Sequence, residues 1–324
     1  MQVGQKRARV ESELNGSRPA RTPTARLGPN PLGYACICTA LRKRHVFMSR
    51  TCRKKTLEEK GASVVGDLAI LNCTDLIAIL KWNEANGIRF FRLSSDIFPW
   101  KTEHDIRSDP RWSEIQALLR AAGDYARSHG HRLTFHPDHF VKLASQDPKY
   151  AETSKQDLEV HSLIFDEMGY DEASPYNKIN IHVGGAYGNK PETLRRWSER
   201  YLQLSDRCRA RVTVENDDRP NLFSVVDLMT LHQMCGVPIV FDFHHHKFCD
   251  GGISAGDALD LAMTTWPDGI VPVVHWSESQ EEGRKPHAHS DYVASIDCLG
   301  RRVDVMIEAK MKEAALLKFH QNII

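Results

Sequence analysis

Eight short apolar segments recur along the chain, and most of them end in a residue type that binds metal ions. They cover residues 32–37, 89–95, 133–136, 179–182, 212–215, 239–242, 271–275 and 303–308. Segments that are apolar at successive positions are typical of strands buried on both faces of a parallel sheet. Six of the eight end on His, Asp or Glu, although packing requires no polar residue there. The pattern therefore indicates a functional site in addition to a core.

Helices are predicted between these strands from the spacing of apolar residues. They cover residues 68–85, 112–128, 153–168, 191–208, 222–235, 255–264 and 309–320. Eight strands that alternate with helices predict an α/β fold, a TIM (β/α)8 barrel forming a single domain over residues 31–324. An open, doubly wound sheet would show a similar alternation. It usually carries a glycine-rich phosphate loop after its first strand, and Leu32-Gly-Tyr-Ala lacks that spacing.

Residues 1–30 differ from the rest of the chain, because they are rich in Arg, Ser, Pro, Gly and Thr and almost free of large apolar groups. This composition predicts a disordered basic arm, which is either a solvated tail or a weak DNA tether or nuclear signal. Lys6, Arg7 and Arg9 are followed by no apolar core, so no secretory signal is predicted. The longest apolar stretches fall short of the about 20 residues that cross a membrane, and no membrane partner is expected.

The overall composition of the 324 residues narrows the function only slightly. A net charge of +1 does not exclude DNA binding, because a local basic groove can bind DNA on a nearly neutral protein. The eight cysteines include no C-x-x-C pair, so a structural zinc site is not predicted. Reduced cysteines in an intracellular, monomeric protein are expected.

The residues at the strand ends are expected to converge, because the C-terminal ends of all strands in a TIM barrel meet at one face. They are His136, His182, Glu215, Asp242, His275 and Glu308. Imidazole and carboxylate ligands together suit Mn²⁺, Zn²⁺ or Fe²⁺. Two ions about 4 Å apart can hold a phosphate for hydrolysis. Glu215, which is central in the strand order, is the predicted bridging carboxylate.

A purely structural role for these side chains is the alternative. A single buried histidine is more often hydrogen-bonded than metal-bound, and Arg or Lys could neutralise Glu215 and Asp242 as well as metal ions could. Further histidines follow two strand ends, namely residues 244–246 after Asp242, and His287 and His289 after the seventh strand. One or two of residues 244–246 are expected to bind an ion.

Nine short segments occur in an order that closely resembles the ultraviolet damage endonuclease family, whose members are DNA repair enzymes with a TIM barrel fold. The segments are Leu32-Gly-Tyr-Ala, Ser49-Arg-Thr-Cys, Phe91-Arg-Leu-Ser-Ser, Phe135-His-Pro-Asp, His182-Val-Gly-Gly-Ala-Tyr-Gly, Val214-Glu-Asn-Asp, Phe241-Asp-Phe-His-His, Ala288-His-Ser-Asp-Tyr and Met306-Ile-Glu-Ala-Lys. Each match is weak, but nine in register are a specific signal, and they cover nearly the whole chain after the basic arm.

The resemblance implies a manganese-dependent hydrolase that nicks double-stranded DNA immediately 5′ of a cyclobutane dimer, a 6–4 photoproduct or an abasic site, leaving a 3′ hydroxyl. It implies two or three Mn²⁺ ions, with Zn²⁺ or Mg²⁺ as substitutes. The implied ligands are His136, His182, Glu215, Asp242, His245, His275, His289 and Glu308, of which Glu215, His275 and Glu308 are assigned to catalysis. Such an enzyme would act inside the cell with the DNA, in the cytoplasm or nucleoid, or in the nucleus of a eukaryote.

The resemblance also implies lesion contacts by Tyr34 and by the pair His139-Phe140, which would wedge into the duplex. The family commonly has Gln-Tyr at this pair; Phe140 can still stack on bases, whereas an imidazole replaces the amide. Two further positions depart from the family pattern. Val273 stands where some members carry a lysine that tunes the metal site, and Cys38 stands where some carry an asparagine that contacts the lesion or a phosphate.

A loop rich in Lys and Arg follows the first strand, between residues 42 and 55. Because this loop leaves the face of the predicted site, Arg42, Arg50 and Arg53 are expected to contact the phosphate backbone rather than only to make the loop soluble. Two other functions fit part of the pattern. They are a metal-dependent sugar isomerase or epimerase with the same barrel, and a non-catalytic protein that binds damaged DNA. The basic loop and Phe140 argue against the first, and the complete ligand set argues against the second.

Overall fold

Eight parallel strands form the wall of a barrel. They are β1 (Leu32–Ala35), β2 (Phe90–Arg92), β3 (Arg132–Thr134), β4 (Ile179–His182), β5 (Val212–Glu215), β6 (Ile239–Asp242), β7 (Val273–Trp276) and β10 (Asp304–Ile307). Their order around the wall is β3-β2-β1-β10-β7-β6-β5-β4. The computed structural model describes residues 31–280 and 285–323, so the arm predicted for residues 1–30 lies outside the described residues. The arrangement confirms the predicted TIM barrel.

The barrel closes between β3 and β4 through a short seam. One parallel bridge there pairs Phe135 with Ile179. The Phe135 amide donates to the Lys178 carbonyl at 2.8 Å, and the Asn180 amide donates to the Phe135 carbonyl at 3.0 Å. By contrast, β4 and β5 are paired over their whole length, from Ile179 to His182 on β4. The seam therefore has the shortest pairing in the wall, and His136 and His182 lie on its two sides.

Helices follow the strands and cover the outside of the barrel. They are α1 (Thr39–Arg42), α2 (Lys54–Lys60), α3 (Ser63–Ala85), α4 (Trp112–Ser128), α5 (Pro148–Glu167), α6 (Lys190–Tyr201), α7 (Asp206–Arg209), α8 (Val225–Cys235), α9 (Phe243–His246), α10 (Ala255–Thr264) and α11 (Glu313–Ile323). Three 3₁₀ turns cover Ser95–Ile97, Ile106–Ser108 and Pro175–Asn177. An antiparallel hairpin, β8 (Ser279–Gln280) and β9 (Lys285–His289), follows β7.

Several predicted helices begin or end at other residues in the structure, and side-chain caps explain two of these differences. The helix predicted over residues 153–168 begins at Pro148, because the Asp147 side chain accepts the Lys149 amide and proline suits the first helical turn. The helix predicted over residues 191–208 is two helices. The second begins after Ser205, whose hydroxyl accepts the Cys208 amide.

The interior of the barrel contains both an apolar cluster and a group of buried polar residues. Alternate strand positions face inward, and an apolar cluster made of Ala35, Phe90, Val240, Trp266, Val273 and Met306 fills one part of it. Fully buried polar residues from β4, β5 and the residue before β4 fill another part, namely Lys178, Asn180 and Thr213. The larger apolar cluster lies between the strands and the surrounding helices. The polar residues inside the barrel lie next to the strand-end ligands.

The helix α3 has a length and composition that would allow it to cross a membrane. The prediction that no apolar stretch approaches such a length was therefore wrong for this segment. The most apolar window of α3 is 56% buried inside the protein, and its buried residues include Leu76, Ile79 and Leu80. A core helix of a soluble protein passes the same test, so the length of α3 is weak evidence for a membrane span.

Candidate metal centre and DNA-facing surface

Six predicted ligands lie at the C-terminal ends of neighbouring strands. The strand register places His182 beside Glu215 and Asp242 beside His275. His136 lies two residues after the end of β3, and Glu308 directly follows β10. The barrel therefore brings together residues that are far apart in the sequence, as predicted.

Glu215 lies at the centre of the cluster and is fully buried. Its Oε2 lies 3.2 Å from Nε2 of His136 and 3.1 Å from Nδ1 of His275. Its Oε1 lies 3.3 Å from Nδ1 of His245. Nδ1 of His275 also lies 3.2 Å from Oε1 of Glu308. One carboxylate thus faces ligands from three other elements, which is the arrangement expected of a bridging group.

Three groups of side chains could each hold an ion, since the ligand atoms within each group lie within 4.8 Å of one another. The groups are His136, His182 and Glu215; Glu215, Asp242 and His245; and Asp242, His275 and Glu308. Glu215 Oε1, Asp242 Oδ2 and His275 Nδ1 are buried and lack a well-aligned hydrogen bond within the described residues. Buried polar atoms without such bonds are costly unless a cation satisfies them, so the residues present fit a metal centre.

Burial and mutual contact shift the protonation of the cluster in opposite directions. Burial would raise the pKa of Glu215, but His275 and His182 hold it well below its usual range. Burial lowers the pKa of His275 to about 4. Burial alone would lower the pKa of His182, but Glu215 and Asp217 raise it to about 9. The cluster therefore offers both an ionised carboxylate and a neutral imidazole to a cation at neutral pH.

Polar residues beside and below the candidate ligands contact them, and most of these polar residues were missed from the sequence. Arg92 donates to Oε1 of Glu308. Nζ of Lys178 lies 3.2 Å from Nε2 of His275. Oδ1 of Asp217 lies 3.1 Å from Nδ1 of His182. Contacts of this kind fix the orientation of metal ligands, and losing one typically costs about 10–100-fold in metal affinity or activity.

The alternation of strand residues could have revealed two of the missed positions. Lys178 and Asn180 precede His182 by four and two residues, so all three side chains face the same side of the strand. A lysine and an asparagine on the inner face of an otherwise apolar strand are unusual enough to indicate a site. Arg92 ends β2 in the same way as the predicted ligands end their strands. Asp217 lies in a loop after β5, where the strand pattern gives no signal, and it was noted only as the last residue of the segment Val214-Glu-Asn-Asp.

His245 and His289 differ in how closely they join the cluster. His245 belongs to one of the three ligand groups, and its backbone amide donates to Oδ1 of Asp242 at 2.7 Å. His289 on the hairpin lies farther out, with Nδ1 3.9 Å from Oε2 of Glu308, and belongs to none of the three groups found among the described residues. His287 points to a different partner, since its Nδ1 lies 3.0 Å from Oδ2 of Asp218.

The pair His139-Phe140 projects from the loop that follows His136. Phe140 has 67% of its side chain exposed, the most of the large hydrophobic residues of the described chain. The two rings contact each other, with centroids 4.0 Å apart. An exposed aromatic residue on a loop beside the candidate ligands is available to stack on a nucleic acid base.

Two arginines of α6 anchor this loop. Arg196 donates through Nε to the Ala144 carbonyl at 2.8 Å. Arg200 donates to the carbonyls of Leu143 and Ser145. The carbonyls of residues 143–145 thus all accept hydrogen bonds from α6, the helix that follows β4. These bonds hold the end of the loop in place, while Phe140 stays exposed.

Two of the predicted DNA contacts are not available at the surface. Tyr34 is fully buried between β1 and α3, where its hydroxyl donates to Oδ1 of Asn83 at 2.7 Å. Gly33 and Ala35 face the barrel interior, so the alternation of the strand turns Tyr34 outward against the helix. Arg50 pairs with Asp75 at 2.5 Å and also donates to backbone carbonyls of its own loop. In this conformation Tyr34 is inaccessible to DNA, and Arg50, with 14% of its side chain exposed, folds back on the protein.

Arg42 and Arg53 are exposed, as a backbone-contacting role requires. Arg42 extends over the ring of Phe47, with the guanidinium carbon 5.2 Å from the ring centroid. Arg53 directly precedes α2. Val273 and Cys38 are both buried, and Val273 belongs to the apolar cluster inside the barrel.

Comparison with known proteins gives consistent results. The model of the family described as "UV-endonuclease UvdE" matches residues 30–324. The UV-damage endonuclease of Schizosaccharomyces pombe is 38% identical over 300 residues, which cover 89% of this chain and 49% of that protein. The UV DNA damage endonuclease of Bacillus cereus is 30% identical over 291 residues, which cover 84% of this chain and 87% of that protein. The chain thus spans about half the length of the fungal relative and most of the bacterial one.

A solved structure is similar over nearly the whole described chain. The crystal structure of SacUVDE aligns with a TM-score of 0.78 at 30% sequence identity, covering 91% of this chain and 98% of that one.

Proposed function

Because the chain belongs to the UV-endonuclease UvdE family, we propose that it is a metal-dependent endonuclease that repairs UV-damaged double-stranded DNA. One observation carries the proposal: three groups of candidate metal-ligand side chains are linked through Glu215 and Asp242, each of which belongs to two groups, beside a loop with an exposed Phe140. A metal centre and an aromatic wedge on the same face are what a damage-specific nuclease needs. The protein would act on DNA inside the cell.

The ligands for the ions would be the predicted set, with His289 at its edge. They are His136, His182, Glu215, Asp242, His245, His275, His289 and Glu308. Mn²⁺ suits this mixture of imidazole and carboxylate, and Zn²⁺ or Mg²⁺ would substitute. Bound ions would supply charge stabilisation for a phosphate and activation of a water molecule. Three ligand groups would accommodate two or three ions.

Residues in and around this centre would orient its ligands, carry out catalysis and contact the DNA backbone. Arg92 holds Glu308 from the second strand, and the three carboxylates Glu215, Asp242 and Glu308 lie within one cluster. Among these proposed ligands, His275 contacts both Glu215, at 3.1 Å, and Glu308, at 3.2 Å, and these three are the proposed catalytic group. Arg42 and Arg53 would contact the DNA backbone on the strand that enters the site.

The proposed cleavage lies immediately 5′ of a cyclobutane dimer, a 6–4 photoproduct or an abasic site, and leaves a 3′ hydroxyl. Phe140 would stack on a base of the opened duplex while the damaged nucleotides leave the helix. His139 would supply the hydrogen-bonding partner of this wedge.

The test is a nicking assay on supercoiled plasmid, with irradiated and unirradiated DNA in parallel. The protein is first stripped of metal and then supplied with Mn²⁺, Zn²⁺ or Mg²⁺. We expect nicking of irradiated plasmid that depends on added metal and is strongest with Mn²⁺. Equal nicking of both plasmids, or none with any ion, would count against the proposal.

A second measurement locates the cut. A 5′-labelled duplex with one cyclobutane dimer should give a product that ends directly before the lesion and that a DNA polymerase can extend. A product that cannot be extended would contradict the 3′ hydroxyl. An abasic duplex of the same sequence tests the third lesion.

A further inference from the structure

A chain of buried hydrogen bonds rises from the interior of the barrel to Glu215. The Thr213 hydroxyl donates to Oδ1 of Asn180 at 2.8 Å. The amide nitrogen Nδ2 of Asn180 donates in turn to Oε2 of Glu215. All three side chains are fully buried, so water does not compete for these contacts.

Asn180 differs from the histidines around Glu215 because it can still donate a hydrogen bond to the carboxylate when metal ions are bound. The nitrogen atoms of His136, His275 and His245 that face the carboxylate are themselves candidate ligand atoms. If they bind ions, they can no longer donate to Glu215. The Nδ2 group of the Asn180 amide is a hydrogen-bond donor and not a metal-ligand atom, so it can keep donating to Glu215 when ions are bound.

The Glu215 carboxylate and the Thr213 hydroxyl together set which way the Asn180 amide points. A flipped amide would place its oxygen against the carboxylate of Glu215. Its nitrogen would then face the Thr213 hydroxyl, which would have to accept instead of donate. The observed orientation satisfies both contacts, because Oδ1 accepts from Thr213 and Nδ2 donates to Glu215.

We propose that Asn180 is a positioning residue that, oriented by Thr213, fixes the Glu215 carboxylate so that its two oxygens face different ion sites. Oε2 faces His136 and His275, and Oε1 faces His245. Rotation of this carboxylate would misdirect both oxygens at once. The inference rests on the metal centre proposed above, and it adds a residue that contacts neither an ion nor DNA.

The experiment is calorimetric titration of the metal-free full-length chain with Mn²⁺ at one pH, for the parent and its variants. Asn180→Ala should weaken Mn²⁺ binding by about 10–100-fold, the range for losing a residue that orients a metal ligand. Thr213→Val should weaken it in the same direction, whereas Thr213→Ser keeps the hydroxyl and should bind like the parent. In the Asn180→Ala background, Thr213→Val should add no further loss.

Asn177→Ala is the matched control. Asn177 is also buried, and its Nδ2 donates to the Leu133 carbonyl at 2.9 Å, away from the ligands. It removes a buried amide of the same kind, so thermal stability should fall while Mn²⁺ affinity stays at the parent value.

The results separate this inference from the proposed function. A parent protein that binds no Mn²⁺ overturns the proposed metal centre. A parent that binds Mn²⁺ with an Asn180→Ala variant of equal affinity overturns the positioning role alone. If Asn180→Ala does not fold, the pair Thr213→Val and Thr213→Ser carries the test, and equal affinity of these two variants also overturns the role.

Discussion

Nε2 of His136 and Oε2 of Glu215 lie 3.2 Å apart, across the strand that separates β3 from β5. His136 reaches Glu215 past His182, whose ring centroid lies 5.5 Å from that of His136. Two histidines on adjacent strands therefore converge on one carboxylate. This convergence makes Glu215 the position at which a small chemical change should have the largest effect on activity.

Glu215→Gln should reduce nicking of irradiated plasmid by about 100-fold or more, because losing a ligand exceeds the 10–100-fold effect of losing its support. Glutamine preserves the shape of the side chain but removes the negative charge that two ligand groups share. Binding to a lesion-bearing duplex, measured by fluorescence anisotropy, should change little. Nicking at the parental rate would remove Glu215 from the mechanism.

Phe140→Ala should reduce the preference for damaged over intact duplex by about 1–3 kcal/mol, the range for losing one base–aromatic stack. The preference is measured as the ratio of the two dissociation constants at fixed salt. Tyr150→Ala is the control, because Tyr150 is similarly exposed, at 61%, but lies on α5. An equal loss of preference in both variants would argue against a specific wedge.

Arg42→Ala and Arg53→Ala should each weaken DNA binding and flatten its dependence on salt. Each phosphate contact that is lost should reduce the slope of log K against log salt concentration by about one. Arg50→Ala should instead destabilise the fold, because it leaves the buried Asp75 without its guanidinium partner. A salt slope altered by Arg50→Ala, with unchanged thermal stability, would show that Arg50 contacts DNA after all.

Tyr34→Phe should lower the free energy of unfolding by about 1–3 kcal/mol, the cost of leaving a buried acceptor unsatisfied. The lost hydroxyl is the donor to Oδ1 of Asn83. Lesion preference should stay at the parental value. A loss of preference without a change in denaturant midpoint would place Tyr34 at the DNA in the complex.

Mn²⁺ affinity should increase as pH rises from 6 to 8. Burial, together with Glu215, raises the pKa of Asp242 to about 7, although His245 opposes the shift. His182 has a pKa of about 9 for the reasons given above. Both groups hold protons at pH 6 that a bound ion must displace, and each displaced proton contributes up to about tenfold per pH unit.

Titrations in buffers of different ionisation enthalpy count the released protons. Asp217→Asn removes one cause of the raised pKa of His182. The Mn²⁺ affinity of this variant should therefore depend less steeply on pH than that of the parent protein. An affinity that is constant from pH 6 to 8 would show that these groups are not ligands.

The convergence of the candidate ligands at the strand ends could be predicted from the sequence, because barrel geometry fixes their location. Strands β4, β5 and β6 were predicted to the residue, and each carries its candidate ligand in the last position. Helices α4 and α10 were also predicted with correct bounds. In these segments, a regular spacing of apolar residues ends at a clear polar or turn-forming residue.

Side-chain direction in short strands and loops was harder to predict. Tyr34 was assigned to DNA from a motif, whereas the alternation of Gly33 and Ala35 turns it away from the site. Arg50 carried no signal that distinguished it from Arg42 and Arg53, because its partner Asp75 lies on a separate helix. A charged loop residue that folds back on the protein is therefore indistinguishable in the sequence from one that faces solvent.

The single bridge between Phe135 and Ile179 gives the group His136, His182 and Glu215 a second expected role, in the stability of the barrel wall. His136 and His182 stand on opposite sides of the joint where the wall has the fewest backbone contacts. An ion bound by both histidines would link the β3 side of the seam to the β4 side. Metal binding should therefore stabilise the closed barrel against local opening at this seam. The expected result is slower amide hydrogen exchange at residues 135 and 180 in the metal-bound protein.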